Sequence, residues 1–503
     1  MIEPTVYEIS SPGRTGPRLP ELDVPEAPLP EGYVRDAEQL PLPELSELDV
    51  VRHFVRLSQK NMSIDTNFYP LGSCTMKYNP KVNELTAGLA GFAQIHPLQD
   101  TDLVQGAMQL MFELQVYLAE ISGFDAVTLQ PAAGAQGELA GVLMMRKYHL
   151  DRGDNKRKKI LVPDSAHGTN PASTTMSGLE VVELPSDDRG NLDLAALKEN
   201  LDETVVGLML TNPNTLGLFE EHILEVTRLV HDSGGLVYGD GANLNAIVGI
   251  CKPAELGIDV MHFNLHKTFS TPHGGGGPGA GPVGVVEKLA SFLPGPLVAL
   301  EAIVDEEPGL PFLAGPLAEE GPTDLHRLVW YTPSKSIGRV RSFAGNFGVL
   351  VRAYTYIRML GAEGLRRVAE NAVLNANYLK ARLQGEGSYP IAFSDRTCMH
   401  EFVAQGILEG ASGVHTLDIS KRLMDYGFHP PTVYFPLIVK EALMIEPTET
   451  ESKEALDLFA DALIAIAGEA RTDPDLLHEA PHQAPVRRLD EVRAARQAIF
   501  CRR

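Results

Sequence analysis

The chain has few cysteines, little positive charge and no long apolar run, and each shortage excludes something. Its four cysteines, Cys74, Cys251, Cys398 and Cys501, lie far apart and form no CxxC pair. A disulfide framework or a zinc ribbon needs closer spacing, so the thiols fit a reducing cytosol and no metal ligand set stands out. Lys and Arg number 43 against 66 Asp and Glu, a net charge of −23. Such a surface repels phosphate backbones and anionic lipid, which argues against nucleic acid or membrane as the main partner. No stretch of about 18 apolar residues occurs, so no transmembrane helix is expected. The opening MIEPTVYEIS lacks the basic-then-apolar pattern of a secretory signal.

What is present reads as globular. Hydrophobic residues make up 44% and charged residues 22%, which excludes global disorder. With 503 residues, two or more compact units are expected, at about 100–200 residues each. The first fifty residues carry Pro4, Pro12, Pro17, Pro20, Pro25, Pro28, Pro30, Pro41 and Pro43. Proline withholds a backbone donor, so this is an extended arm, either loose or laid along a neighbouring subunit.

From about residue 125 to 290 short apolar runs alternate with helical stretches. The runs are Ala126–Leu129, Lys159–Val162, Leu179–Leu184, Val205–Leu210, Leu236–Tyr238, Ile258–Phe263 and Val283–Val286. They fit strands buried on both faces of a mainly parallel sheet. Gln136–Leu150 and Glu221–Ser233 read as helices between them. Beyond residue 330, Phe343–Leu360, Gly364–Leu383 and Leu456–Ile466 read as helices with short strands among them, and an arginine-bearing tail wraps the surface. The pattern predicts an α/β fold: a seven-stranded, mainly parallel sheet with helices on both faces, a smaller C-terminal α+β domain and an N-terminal arm. The expected divisions are 1–90 for the arm and an entrance loop, 91–330 for the large domain, and 331–503 for the small domain and tail.

Ligands of open α/β sheets gather at the carboxyl ends of strands. Four segments would meet there. Asp240 follows Leu236–Gly239, and His266 and Lys267 follow Asp259–Leu265. His167 follows Ile160–Pro163, and Gly134–Ala135–Gln136 opens a helix after Val127–Gln130. A lysine in a protected setting can be neutral and nucleophilic, as a Schiff base requires. A buried aspartate can hold a pyridine nitrogen protonated. A glycine-bearing helix N-terminus suits a phosphate. His167 could stack on a flat ring. Taken singly each has a plainer reading: a surface lysine, a turn aspartate between two glycines, a small glycine cluster, a loop histidine. The His273–Gly279 run serves equally as a ligand approach or a hairpin.

Together, and in this order, they resemble the fold-type I pyridoxal-phosphate enzymes. The resemblance narrows at SIDTNFYPLGSCTMKY (Ser63–Tyr78), Asp164–Pro171, Tyr238–Asn245 and Asn264–Pro282. These segments resemble the glycine decarboxylase P-proteins of the glycine cleavage system from about residue 45 onward. The length matches the lysine-bearing half of those proteins, as in subunit 2 of the split form. The resemblance implies a cytoplasmic enzyme that decarboxylates glycine on pyridoxal 5'-phosphate. The aminomethyl group then passes to the lipoyl arm of an H-protein. It implies a partner subunit 1, with two copies of each. Lys267 would hold the cofactor, Asp240 its ring nitrogen, and His167 its face. Gly134, Ala135, Gln136, Ala242, Thr268 and Ser270 would line its site. His266 would shuttle a proton or pack against the cofactor. The Tyr69–Tyr78 loop would line the entrance, with Thr75 or Lys77 near the cofactor or the lipoyl arm. Two rivals remain: another enzyme of this fold, such as a cysteine desulfurase using Cys74, and a non-catalytic scaffold subunit.

Overall fold

The computed structural model describes the chain apart from residues 1–2, 31, 35–39, 97–98, 272–278, 303–325, 388, 412 and 500–503. All of the His273–Gly279 run except Gly279 therefore lies outside the described residues, as does Cys501.

The described part of the proline-rich arm forms no regular element before α1, Glu47–Ser58. Then come α2 (Lys81–Ala87), α3 (Gln105–Ser122), β1 (Ala126–Thr128), α4 (Gly134–Asp151), β2 (Lys159–Pro163), α5 (Thr169–Met176) and β3 (Glu180–Leu184). The large sheet continues with β4 (Val205–Thr211), α6 (Ile223–Asp232), β5 (Leu236–Gly241), β6 (Val260–Phe263) and β7 (Val283–Val285). A hairpin of β8 (Leu297–Ala302) and β9 (His326–Tyr331) leads to α7 (Phe347–Arg382). Then come β10 (Phe402–Gln405), α8 (Thr416–Asp425), β11 (Thr432–Val433), β12 (Ala442–Ile445) and α9 (Lys453–Thr472), followed by two short helices, Pro474–His478 and Glu491–Arg496.

The seven apolar runs become one seven-stranded sheet, ordered β1-β7-β6-β5-β4-β2-β3. β7 runs antiparallel to both β1 and β6, while the other neighbours are parallel. Apolar side chains cover both faces, which is why the strands read as continuous apolar runs. In β2, Ile160 and Val162 join one buried cluster and Leu161 the other. In β5, Leu236 and Tyr238 divide from Val237 in the same way.

A second core surrounds the antiparallel sheet β10-β12-β11 and the buried face of α9. The two cores share α7. Val349, Leu350 and Ile357 pack in the first, and Ala376 and Leu379 in the second. α7 breaks at Gly361, whose φ of 61° and ψ of −173° are not helical. The expected gap between two helices falls there. The hairpin β8–β9 was not expected from the sequence. The stretch before α2 joins the second sheet, where Leu71 bridges Ile445. The tail is pinned by Arg488, which donates to Asp418 Oδ1 at 2.7 Å. Among the described residues no helix is long and apolar enough to cross a membrane.

Candidate active site

The parallel strands bring their carboxyl ends to one rim. A cavity of about 220 Å³ opens there, lined by Gly134, His167, Asp240, Ala242, His266 and Lys267 among others. A larger cleft of about 590 Å³ lies between Lys60, Leu71, Met424 and Pro485. Its buried carboxylate, Asp425, is already taken by Arg422 and by the His482 and Gln483 N–H groups, so chemistry rather than volume locates the site.

Asp240 stands in the last turn of β5 and is buried. Its Oδ1 accepts the Ala242 N–H at 2.9 Å, and its Oδ2 accepts the Asn170 amide at 3.1 Å. His262 Nε2 lies 3.5 Å from Oδ1. Burial by itself would raise the Asp240 carboxyl. The His262 ring, the Ala242 N–H, the Asn170 amide and the Lys267 charge outweigh it and hold the carboxyl below its ordinary range. Asp240 is thus an ionised carboxylate kept dry. His262 is fixed in turn, with Tyr238 Oη and Asn264 Oδ1 each 2.5 Å from one ring nitrogen.

Lys267 sits in the short helical turn that follows β6, with its N–H donated to the Asn264 carbonyl at 2.9 Å. α4 begins at Gly134 with no side-chain cap, so its first N–H groups are open to an anion. A Cβ at Gly134 would come within 2.7 Å of Asn264 Nδ2, so only glycine lets this turn approach the Lys267 segment so closely. His167 is exposed at the cavity mouth, with Nδ1 2.8 Å from Thr169 Oγ1 and its ring edge-on to Phe435. His266 accepts the Ala280 N–H at Nδ1, 3.3 Å away.

The structure does not bring every expected residue to the cavity. The Gln136 side chain turns away and donates to the Val340 carbonyl. Thr268 is buried behind Lys267. Ser270 donates to the Tyr78 carbonyl and to Asn79 Oδ1. None of the three is among the lining residues. Lys77 and Thr75 turn to buried acids and do not line the cavity. Lys77 is buried and donates to Glu449 Oε1 and the Thr268 carbonyl, both at 2.8 Å, and to Tyr356 Oη at 3.1 Å. The Thr75 N–H is given to Glu446. From this loop it is Ser73 that reaches the cavity wall.

Sequence reasoning missed several residues of the rim. Glu138 is buried and accepts from Thr169 Oγ1 at 2.8 Å and Asn170 Nδ2 at 3.0 Å, so Asn170 ties it to Asp240. The signals were faint but present. Glu138 stands one helical turn after Gly134 on the same face, and His262 interrupts a strand otherwise buried and apolar. Thr211 and Asn243 at the cavity wall keep buried oxygens without a hydrogen-bond partner, which points to a polar ligand. Among the described residues two groups gather three ligand-type atoms within 4.8 Å: Glu138, Asp240 and His262, and His400, Glu401 and Glu446. Cys74, Cys251 and Cys398 are free thiols.

This sheet order, with a lysine and a dry carboxylate meeting an uncapped helix end at its rim, defines the class: a fold-type I pyridoxal-phosphate enzyme. Comparison with known proteins gives the family. Residues 23–312 match the family model for the glycine cleavage system P-protein, and residues 368–482 match that for the glycine dehydrogenase C-terminal domain. A protein of Caldanaerobacter subterraneus subsp. tengcongensis named "Probable glycine dehydrogenase (decarboxylating) subunit 2" is 58% identical over 98% of each chain. A protein of the same name from Desulforamulus reducens is 57% identical over 99% of each. The chain belongs to the glycine cleavage system P-protein family, and both of these relatives carry the name of its subunit 2. Among solved structures, an inhibitor-bound glycine decarboxylase (P-protein) aligns with a TM-score of 0.71 at 22% identity, over 87% of this chain and 93% of that one. A cysteine desulfurase from Thermococcus onnurineus NA1 aligns at 0.59 and 16%, over 80% of this chain and 95% of that one. At such identities the likeness is one of fold.

Proposed function

We propose that the chain is the lysine-bearing subunit of a two-subunit glycine decarboxylase. It removes the carboxyl group of glycine as CO2 and passes the aminomethyl group to the lipoyl arm of an H-protein in the cytoplasm. The observation that carries this is the meeting of Lys267, ionised Asp240 and the open end of α4 at one cavity in a chain of this family.

The residues present fit pyridoxal phosphate. Lys267, which lines the cavity, would supply the amine that holds it covalently. The N–H groups at Gly134 and Ala135 suit its phosphate, and Asp240 holds the proton on its ring nitrogen. The unpartnered oxygens of Thr211 and Asn243 await polar groups of a ligand. His167, at the mouth, would flank the cofactor's ring, and His266 would pack beside it. Bound there, the cofactor supplies an electron sink for the bond that releases CO2. Asp240 keeps that sink strong because its buried charge stays next to the proton, screened from water. The part from 91 to 330 carries the cofactor site, 1–90 the arm and entrance, and 331–503 the smaller lobe.

The chain works with a subunit 1, two copies of each. The arm and α1 expose Leu19 (87%), Tyr33 (85%), Phe54 (58%) and Val51 (52%), apolar surface that a neighbour would cover. The cysteine desulfurase reading needs a reactive thiol. Burial raises the Cys74 thiol above its ordinary value, with the Lys267 charge opposing, which disfavours the thiolate that a desulfurase needs. A scaffold has no need of Lys267 in its cavity.

The test is exchange of labelled bicarbonate into the carboxyl group of glycine, run with subunit 1 and lipoylated H-protein. Exchange that disappears in Lys267→Ala is expected. No exchange, together with sulfide release from cysteine, would overturn the reading.

A further inference from the structure

Behind the cavity wall lies a buried acid pair that the proposed chemistry does not use. β10 and β12 pair antiparallel with Phe402 opposite Ile445. The next residues outward, Glu401 and Glu446, therefore face each other across the end of the ladder. Both side chains are fully buried, and so is His400. Ligand atoms of all three lie within 4.8 Å of one another. His400 Nε2 points into the gap, 3.8 Å from Glu401 Oε1 and 4.0 Å from Glu446 Oε1, and neither of its ring nitrogens has a hydrogen-bond partner. Among the described residues no Lys or Arg lies within ion-pair distance of either acid.

The pair grips a strained loop. The Ser73 N–H donates to Glu401 Oε2 at 2.7 Å, and the Thr75 N–H donates to Glu446 Oε2 at 3.0 Å. Ser73 has φ 60° and Thr75 has φ 47°, the left-handed region that residues with a Cβ avoid. Backbone in that state persists only when its surroundings hold it there. Here the hold is one carboxyl group per strained residue. The loop so held puts Ser73 on the cavity wall and Cys74 within reach of the Lys267 charge.

We propose that Glu401 and Glu446 hold a single proton between them, and that this singly charged pair positions the Ser73–Thr75 loop against the Lys267 cavity. Two dry carboxylates with no cation in ion-pair contact repel each other strongly, the Lys267 charge offsetting only part of it, and one retained proton removes the repulsion while leaving an anion to accept the loop's N–H groups. Burial drives Glu401 well above its ordinary value, and Glu446 pushes it further. Burial likewise raises Glu446, against the Thr75, Lys267 and Asn245 groups that favour its ionised form. Burial lowers His400 to about 3, so the ring is neutral and does not take the proton. The other groups facing the pair are Cys74 from the loop, Lys267 from the segment after β6 and the Asn245 amide, which donates to Glu446 at 3.3 Å. Glu401 and Glu446 are positioning residues, acting through Ser73 and Thr75, and their role is independent of the cavity's substrate.

Infrared spectroscopy of the full chain at neutral pH tests the shared proton. Wild type should show a neutral-carboxyl band that both Glu401→Gln and Glu446→Gln alter, by shift or by loss, because either change removes the partner that shares the proton. Glu220 and Glu451, also raised by burial, contribute equally to all three proteins and cancel in the difference. No such difference, or a change in one variant alone, would overturn the sharing. Alkylation of Cys74, followed by peptide mass, tests the positioning. Glu401→Gln should stay within about threefold of wild type, and Glu401→Ala should react about tenfold faster or more, the usual scale for a lost hydrogen bond to a charged group. Buried Cys398 reports global unfolding. If Glu401→Ala exposes it, Glu401→Asp, which keeps the acid and shortens its reach, should free Cys74 alone. Unchanged Cys74 reactivity in both would overturn the positioning role. A stoichiometric divalent metal that both glutamine variants lose would replace the proton with a metal site.

Discussion

In the proposed reaction, Lys267 and Asp240 would divide the chemistry at the level of single residues. Lys267→Ala should fold normally and lose the covalent link to the cofactor. Borohydride reduction followed by peptide mass should place the pyridoxyl group on Lys267 in wild type and nowhere in the variant. Asp240→Asn should keep the cofactor and lose activity on the order of hundreds-fold, since an amide cannot hold the ring nitrogen's proton. Steady-state exchange at measured cofactor occupancy checks this, and near-normal turnover would assign the ring nitrogen to another group. Both residues stood out because each lies at or just beyond the carboxyl end of an apolar strand, where topology puts ligand contacts. Glu138, Asn170 and His262 did not. Their meaning lies in hydrogen bonds between α4, α5 and β6, which linear spacing does not display.

Between elements, the buried Lys77–Glu449 pair ties the entrance loop to the turn carrying Lys267 and to α7. Its side chains are 1% and 8% exposed. Burial would lower the Lys77 amine, but Glu449 and Tyr356 outweigh it and raise it well above its ordinary range. A lysine raised on folding contributes stability that is full below its unfolded value of about 10.4 and lost as pH rises beyond it. Lys77→Met should therefore destabilise by about 3–5 kcal/mol at neutral pH, because it strands a buried carboxylate. Lys77→Met combined with Glu449→Gln should cost less than the sum of the two single changes. Denaturant melts at pH 7 and pH 11 check both statements. The resemblance implied Lys77 or Thr75 near the cofactor or the lipoyl arm. The structure turns Lys77 inward, because a lysine's reach is settled by the nearest acid, and that acid is 372 residues away. The hairpin β8–β9 escaped the sequence reading for a related reason: its strands are joined through residues 303–325 rather than a short turn.

At the scale of the whole molecule, one turn locks the two sheets together. Gly217, in the turn after β4, has φ 74°, and its carbonyl accepts the Met399 N–H at 2.7 Å. A Cβ there would lie 1.8 Å from the Glu401 carbonyl oxygen. Gly217→Ala should cost about 3 kcal/mol or more, since it adds an overlap to an unfavourable φ. It should also loosen the Ser73 loop through Glu401. Thermal melts and Cys74 labelling read the two effects. The partner prediction belongs at this scale too. Co-expression with subunit 1 should give a heterotetramer by mass, and deletion of residues 1–45 should weaken it. A fully active lone monomer would count against the partner.

The sequence by itself determined the sheet, its seven strands and the rim where Asp240 and Lys267 stand, because apolar runs buried on both faces and their polar ends are local patterns. It also carried the family, through long motifs such as Ser63–Tyr78. The tertiary structure alone decided which polar residues of those motifs face the cavity and which face the protein. Ser73 reaches the cavity wall while Thr75, two residues on, serves a buried acid. That division depends on left-handed backbone torsions and on carboxylates more than 300 residues distant. Burial and pairing, which set each group's charge, exist only once the chain has closed on itself.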